Sequence, residues 1–358
     1  MQTKLAKLPL VLLGGFLVAF LLLTILPASS FATQRQAVTF LTWSEYIDPD
    51  VVTEFEEKFN AKVNFVYFES DDVRTEILAD KNGQGFDVVL TSGLATASYV
   101  RQGWLAPIDE SDVPNKKHIY SRWLDAFADT KEYAVPYFWG TTGIGYRADL
   151  VPEPITSWKQ ILNPPEALRG KIVMTNYTRD LTSVALKALG YSLNSNDRKK
   201  LAEAEELLRQ QKPYVHSYSY VSLTEESALV SGEVWATVIY SGDALLLREQ
   251  NENITYVLPE EGGNIWVDYL TVTQSSGNKE LAMKFINFLN EPQIAARIAE
   301  FVYYATPNKA AEQYLPDEYF ADPVIYPSQA ELDRSEFHAP LAPRAQKYTN
   351  EMIARLTH

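Results

Sequence analysis

No cysteine occurs among the 358 residues. A disulfide framework, thiol catalysis and thiolate metal centres are excluded, but an oxidising compartment is not, since it permits disulfides without demanding them. Histidine is nearly as scarce. His118, His216, His338 and His358 are scattered without ligand spacing, so nitrogen or sulfur coordination of a metal is not expected. There is no G-x-S-x-G elbow, no P-loop and no dinucleotide fingerprint, and Gly140, Gly143 and Gly145 do not form a phosphate loop. Carboxylate pairs for glycoside cleavage are not excluded, because any two acids can meet in space. Positive charge is short as well: 32 Lys and Arg face 46 Asp and Glu, for a net charge of −14. That balance disfavours nucleic acid, whose phosphates need basic side chains. It also concentrates cations near the surface, although solubility alone is the plain alternative.

The one long apolar run lies at the start. Lys4 and Lys7 precede residues 8–26, and Pro27 to Ala32 follow with Ser30 and Ala32 at the small-residue positions of a cleavage site. An export signal covering residues 1–32 and cleaved after Ala32 is expected. The run is also nearly long enough to span a bilayer, which leaves an uncleaved anchor as the competing reading. No cysteine follows it, so a lipid anchor on cysteine is excluded. The signal holds two lysines and no acid, and the remaining chain of about 326 residues therefore carries −16. That length suits two lobes better than one core.

From residue 37 onward, β and α patterns alternate. Strands are expected at 37–43, 62–68 and 86–90. A helix with Val51, Val52, Phe55 and Phe59 on one face follows the first, and a helix at 71–79 follows the second. A second unit follows Tyr137-Phe138-Trp139-Gly140, with a crossover near 140–147. Strands are expected there at 170–175, 234–240, 254–258 and 266–272. Helices are expected at 179–189, from Asp197, from Ser241-Gly242-Asp243, around Leu281, Phe285 and Leu289, and at 344–356. This order argues for an α/β fold with mostly parallel sheets flanked by helices. Ligands on such sheets bind outside the carboxyl ends of the strands.

Aromatic and acidic residues stand together at those ends. Trp43-Ser44-Glu45-Tyr46 follows the first strand, and Trp266-Val267-Asp268 places a Trp and an acid on one side of a late strand. A carboxylate beside an aromatic face is what holding an organic cation requires: the acid takes the N–H bonds and the ring attracts the charge. Each cluster also has a bland account. Trp43 can pack at a strand end with Glu45 exposed. Asp180 and Asp243 each sit where a first helical turn favours an anion. Tyr304, after Tyr303, can be core or lining. Asp268 is harder to dismiss, because an acid facing the same way as a Trp inside a sheet is costly unless paired.

These residues, taken with Val135-Pro136-Tyr137-Phe138-Trp139-Gly140, Ser231-Gly232-Glu233-Val234, Pro259-Glu260-Glu261-Gly262-Gly263, Ile286-Asn287-Phe288-Leu289 and Thr306-Pro307-Asn308, resemble the periplasmic spermidine/putrescine-binding proteins of ABC importers. The matching stretches run in order across essentially all of the chain after residue 32. The resemblance implies a type II periplasmic binding protein fold: two Rossmann-like lobes, joined by crossover strands, with a ligand cleft between them. It implies lobes of 33–143 plus 267–311 and 144–266 plus 312–358. It also implies a site made by Trp43, Ser44, Glu45, Tyr46, Thr91, Asp180, Tyr240, Trp266, Asp268 and Tyr304. The implied partners are a small polyamine and the membrane permease, with the chain a monomer in the periplasm that needs no cofactor and catalyses nothing. There are departures: Tyr177 stands where relatives can carry an aspartate, Gly93 and Leu94 replace a tyrosine pair, Tyr240 stands for a tryptophan and His338 for a glutamine. They leave the number of bound amines open. A receptor for another small organic cation and an exported hydrolase are the alternative readings.

Overall fold

The computed structural model describes residues 35–127 and 130–357. The expected export signal lies outside the described residues. Within them run eleven strands: β1 (Gln36–Thr42), β2 (Ala61–Tyr67), β3 (Val88–Ser92), β4 (Leu105–Ala106), β5 (Ala134–Arg147), β6 (Ile172–Met174), β7 (Val215–Tyr218), β8 (Ala236–Tyr240), β9 (Ile254–Val257), β10 (Asn264–Thr273) and β11 (Glu336–Phe337).

Local signals explain the first elements. The helix Pro49–Phe59 starts where the Asp48 carboxylate accepts from the Asp50 amide and Pro49 fills the first helical position. It stops at Asn60, held left-handed at φ 47°. Its 3.6-residue stripe buries Val51 and Phe55, and Phe55 meets Phe285 and Phe288 of the helix Lys279–Leu289 at ring distances of 4.8 and 5.5 Å. Ser70 caps the helix Asp71–Asp80 through the Val73 amide.

Strand order is β2-β1-β3-β10-β5 on one side and β5-β8-β6-β7 on the other, with β9 also on β5. β1 pairs β2 and β3 in parallel, and β6 pairs β7 and β8 in parallel, as expected of strands joined through helices. The sheets are nevertheless mixed rather than mostly parallel. β10 lies antiparallel between β3 and β5, and β5 lies antiparallel to β8 and β9. β5 carries the chain from one sheet to the other, and β9 leads back into β10 without an intervening helix. β5 is a single buried strand of 14 residues whose partner changes midway. Through Thr141 it pairs β10, and from Thr142 it pairs β8. Two apolar cores result. One gathers Phe40, Phe55, Phe285 and Leu270; the other gathers Trp158, Ile161, Leu181 and Met352.

Candidate functional site

Strand ends from both sheets deliver the site. β1 runs out into Trp43 to Tyr46. The helix Thr178–Ala188, which follows β6, carries Asp180 in its first turn. β8 ends at Tyr240, and the helix Ser241–Gln250 starts at once, with Asp243 in its first turn. β10 supplies Trp266 and Asp268, and a shift of the β10–β5 register at Asp268/Tyr269 bends the strand there. Tyr304 follows Tyr303, whose left-handed φ of 58° ends the helix Pro292–Val302.

Each carboxylate in this cluster is held by tyrosine hydroxyls. Tyr46 donates to Asp268 Oδ2 at 3.0 Å, and Tyr240 donates to Asp180 Oδ2 at 2.9 Å. Asp243 accepts from Tyr304 at Oδ1 and from Tyr220 at Oδ2, both at 2.6 Å. The rings are continuous with one another. Trp266 meets Tyr304 edge to face at 4.7 Å and Tyr240 at 6.0 Å, and Tyr304 meets Tyr46 at 6.0 Å. The Trp266 indole N–H is shielded from solvent and has no partner among the described residues.

Burial pushes the Asp268 carboxyl up to about 7, and the neighbouring Asp71 charge adds to it; Arg74 and the Tyr46 hydroxyl pull the other way. Burial likewise raises Asp180 to about 6 against the Tyr240 hydrogen bond. Asp243 is raised by burial despite its two hydroxyl donors. The hydroxyls of Tyr46, Tyr220, Tyr240 and Tyr304 are pushed well above their ordinary value, first by burial, and so stay neutral donors. None of the three acids forms an ion pair among the described residues. Acids withdrawn from water without a cation favour any cation brought to them. Among the described residues no group of three or more His, Cys, Asp or Glu is placed to hold a metal ion.

The structure thus brings together Tyr46, Asp180, Tyr240, Trp266, Asp268 and Tyr304. Trp43 packs its ring on Phe68 at 4.3 Å. Ser44 and Glu45 are exposed, Glu45 at φ 55°, and with Trp43, Tyr46, Phe65 and Tyr67 they line an adjoining groove of about 470 Å³. Thr91, next to Ser92 on β3 and opposite Tyr269, turns its side chain to the other face of the sheet from Asp268. It is fully buried, with its hydroxyl 2.6 Å from that of Thr96. Two members lie outside the site that the resemblance implies. Asp243 passes in the sequence as an ordinary helix-start acid, and Tyr220 carries no local signal, although it stacks on Tyr177 at 6.0 Å and its hydroxyl accepts from the Tyr240 amide at 3.1 Å.

Two glycines make room for the rings. A Cβ at Gly140 would lie 2.6 Å from Trp266 Cζ2, and one at Gly242 would lie 2.5 Å from Tyr304 Cε1. Gly140→Ala is expected to displace the indole at a cost of about 1–3 kcal/mol, the usual penalty of overpacking. Tryptophan fluorescence and ligand affinity, both changed with the far-ultraviolet circular dichroism unaltered, would register it.

Residues 50–327 match the family described as bacterial extracellular solute-binding protein. The chain belongs to that family. A spermidine/putrescine-binding periplasmic protein of Salmonella typhimurium is 30% identical over 312 residues, covering 87% of this chain and 88% of the relative. A putrescine-binding periplasmic protein of Pseudomonas aeruginosa is also 30% identical, over 88% of this chain and 90% of the relative. The solved spermidine/putrescine ABC transporter substrate-binding protein of Streptococcus pneumoniae superposes with a TM-score of 0.80 at 27% identity, over 90% of this chain and 98% of that one. The two-lobed α/β fold of the solute-binding proteins is therefore the fold of this chain. The family and these relatives are solute-binding transport proteins, not enzymes. No helix among the described residues is long and apolar enough to cross a membrane.

Proposed function

We propose that this family member is an exported receptor that captures a polyamine, spermidine or putrescine, between its two lobes and delivers it to the membrane permease of an ABC importer. The observation that carries the reading is the set of three carboxylates around Trp266, Asp180 buried and Asp243 and Asp268 partly buried, whose side-chain partners among the described residues are tyrosine hydroxyls. An extended diamine or triamine suits that layout. Its ammonium groups meet the acids and its methylenes lie along the rings, each buried CH₂ contributing about 0.8 kcal/mol. Ring–cation contact adds roughly 0.5–2 kcal/mol. The names of the relatives point the same way.

The lobes are taken as 33–143 plus 267–311 and 144–266 plus 312–358, and the change of partner along β5 at Thr141 and Thr142 supports a division there. Capture is closure of these lobes on the cation. No covalent step, cofactor or second subunit enters it, and the receptor works in the periplasm after cleavage at Ala32. Calorimetric titration of residues 33–358 with putrescine, spermidine, agmatine and thiamine tests the reading. A dissociation constant on the order of micromolar or tighter is expected for at least one polyamine. Silence from both polyamines at that concentration, or a preference for thiamine, would defeat it.

A further inference from the structure

Polyamine capture, as described, leaves unused an ion pair in the wall beside Asp268. Asp71 opens the helix Asp71–Asp80, its side chain 54% exposed. One oxygen lies 2.8 Å from Arg74 Nη1, and the other accepts from the Ser92 hydroxyl at 3.0 Å. Ser92 stands directly opposite Asp268 in the β3–β10 pairing. Side chains of such facing residues share one face of the sheet, so the pair borders the acid cluster.

Arg74 is the unusual member. Its side chain is 1% exposed. Its Nε donates to the Tyr99 hydroxyl at 3.3 Å, and its guanidinium lies 5.2 Å from the ring of Phe68, on which Trp43 packs. Its Nη2 is buried with no partner among the described residues. A guanidinium withdrawn from water with one nitrogen unpaired is costly, and a helix needs no such residue at this position. The pair acts on Asp268 with opposite signs, Asp71 disfavouring its charged form and Arg74 favouring it.

We propose that the Asp71–Arg74 pair sets how many ammonium groups the cleft accepts. Arg74 is a resident cation that neutralises Asp71 from within, leaving Asp180, Asp243 and Asp268 for the ligand. On this count, which rests on the polyamine reading above, the three tyrosine-held acids match a triamine, and Asp71 is not available to a fourth ammonium.

Titrations of the wild type and variants with spermidine and spermine decide the matter. Arg74→Met frees the Asp71 carboxylate and should shift the affinity ratio toward spermine by about tenfold, the worth of one charge-assisted hydrogen bond. Asp71→Asn leaves the guanidinium uncompensated near Asp268 and should weaken spermidine by about tenfold. The double variant, neutral at both positions, should return the spermine-to-spermidine ratio to within about threefold of wild type, and it serves even where a single variant folds poorly. Arg74→Lys keeps the charge and should keep the wild-type ratio. A ratio indifferent to Arg74→Met, or a double variant that follows Arg74→Met, overturns the proposal while the polyamine reading stands. A wild type that binds neither amine overturns the polyamine reading, and this proposal with it.

Discussion

Asp268→Asn is expected to weaken polyamine binding roughly a hundredfold, about 3 kcal/mol, within the range for losing one partner of a desolvated charge pair. The substitution keeps the shape of the side chain and an oxygen to accept from Tyr46, so it removes charge and little else. The loss should be larger than for Asp180→Asn. Asp268 sits against Trp266 and the Asp71–Arg74 pair at once, whereas Asp180 shares its surroundings with Tyr240 and the Arg179 charge. Folding should not suffer. A carboxylate whose burial already disfavours its charged form is no stabiliser of the empty receptor, and the melting temperature without ligand should hold or rise. Calorimetry on the variant gives the answer, and an unchanged dissociation constant would take Asp268 out of the site.

How far such a site can be read from the chain alone depends on whether its members announce themselves locally. Trp266 and Asp268 do, because alternation along a strand forces them to one side, and a charge there asks for a reason. Strands β1, β2, β3, β8 and β10 do as well, since each carries a run of β-branched and aromatic residues, whereas the two-residue strands β4 and β11 do not. Asp243 does not: a first-turn acid is fully explained by its own helix. Its role becomes visible only when Tyr304 arrives from 61 residues downstream and Tyr220 from 23 residues upstream. Arg74 looks like an ordinary partner for an acid one turn away until its burial is known.

The crossover expected near 140–147 is β5, but its length is not legible: Pro136 and the glycines at 140, 143 and 145 hide the single strand that runs through them from Ala134 to Arg147. The glycines are there for close approach, since a Cβ at Gly143 would meet the Val257 carbonyl oxygen at 2.4 Å. β7 is missed for a simpler reason. It is short and half exposed, and Pro213 precedes it closely, so neither periodicity nor composition marks it.

Affinity for polyamine is expected to fall steeply as the pH drops from 8 to 5. In the unliganded protein Asp268 titrates near 7 and Asp180 near 6, both raised chiefly by burial. The ligand amines, like lysine, keep their charge across this range. A bound ammonium stabilises each carboxylate and draws its pKa down. At pH 5 the ligand must therefore displace a proton from Asp268 and another from Asp180. Two tenfold steps for the first and one for the second make the loss from these two acids about a thousandfold.

The same shifts set the sign for stability. Both acids have folded values above the ordinary 3.8. The native state thus holds more protons than the unfolded chain between about pH 4 and 7. Their contribution to stability is complete below that window and is lost as the pH rises through the folded values. Polyamine should then raise the melting temperature most at pH 8 and least at pH 5. Asp268→Asn should flatten the upper part of that dependence. Titrations at pH 6.5 in two buffers of different ionisation heat would count the protons released. A count of zero, together with affinity flat from pH 5 to 8, would mean that these acids are ionised before the ligand arrives, and that withdrawal from water does not tune this cleft.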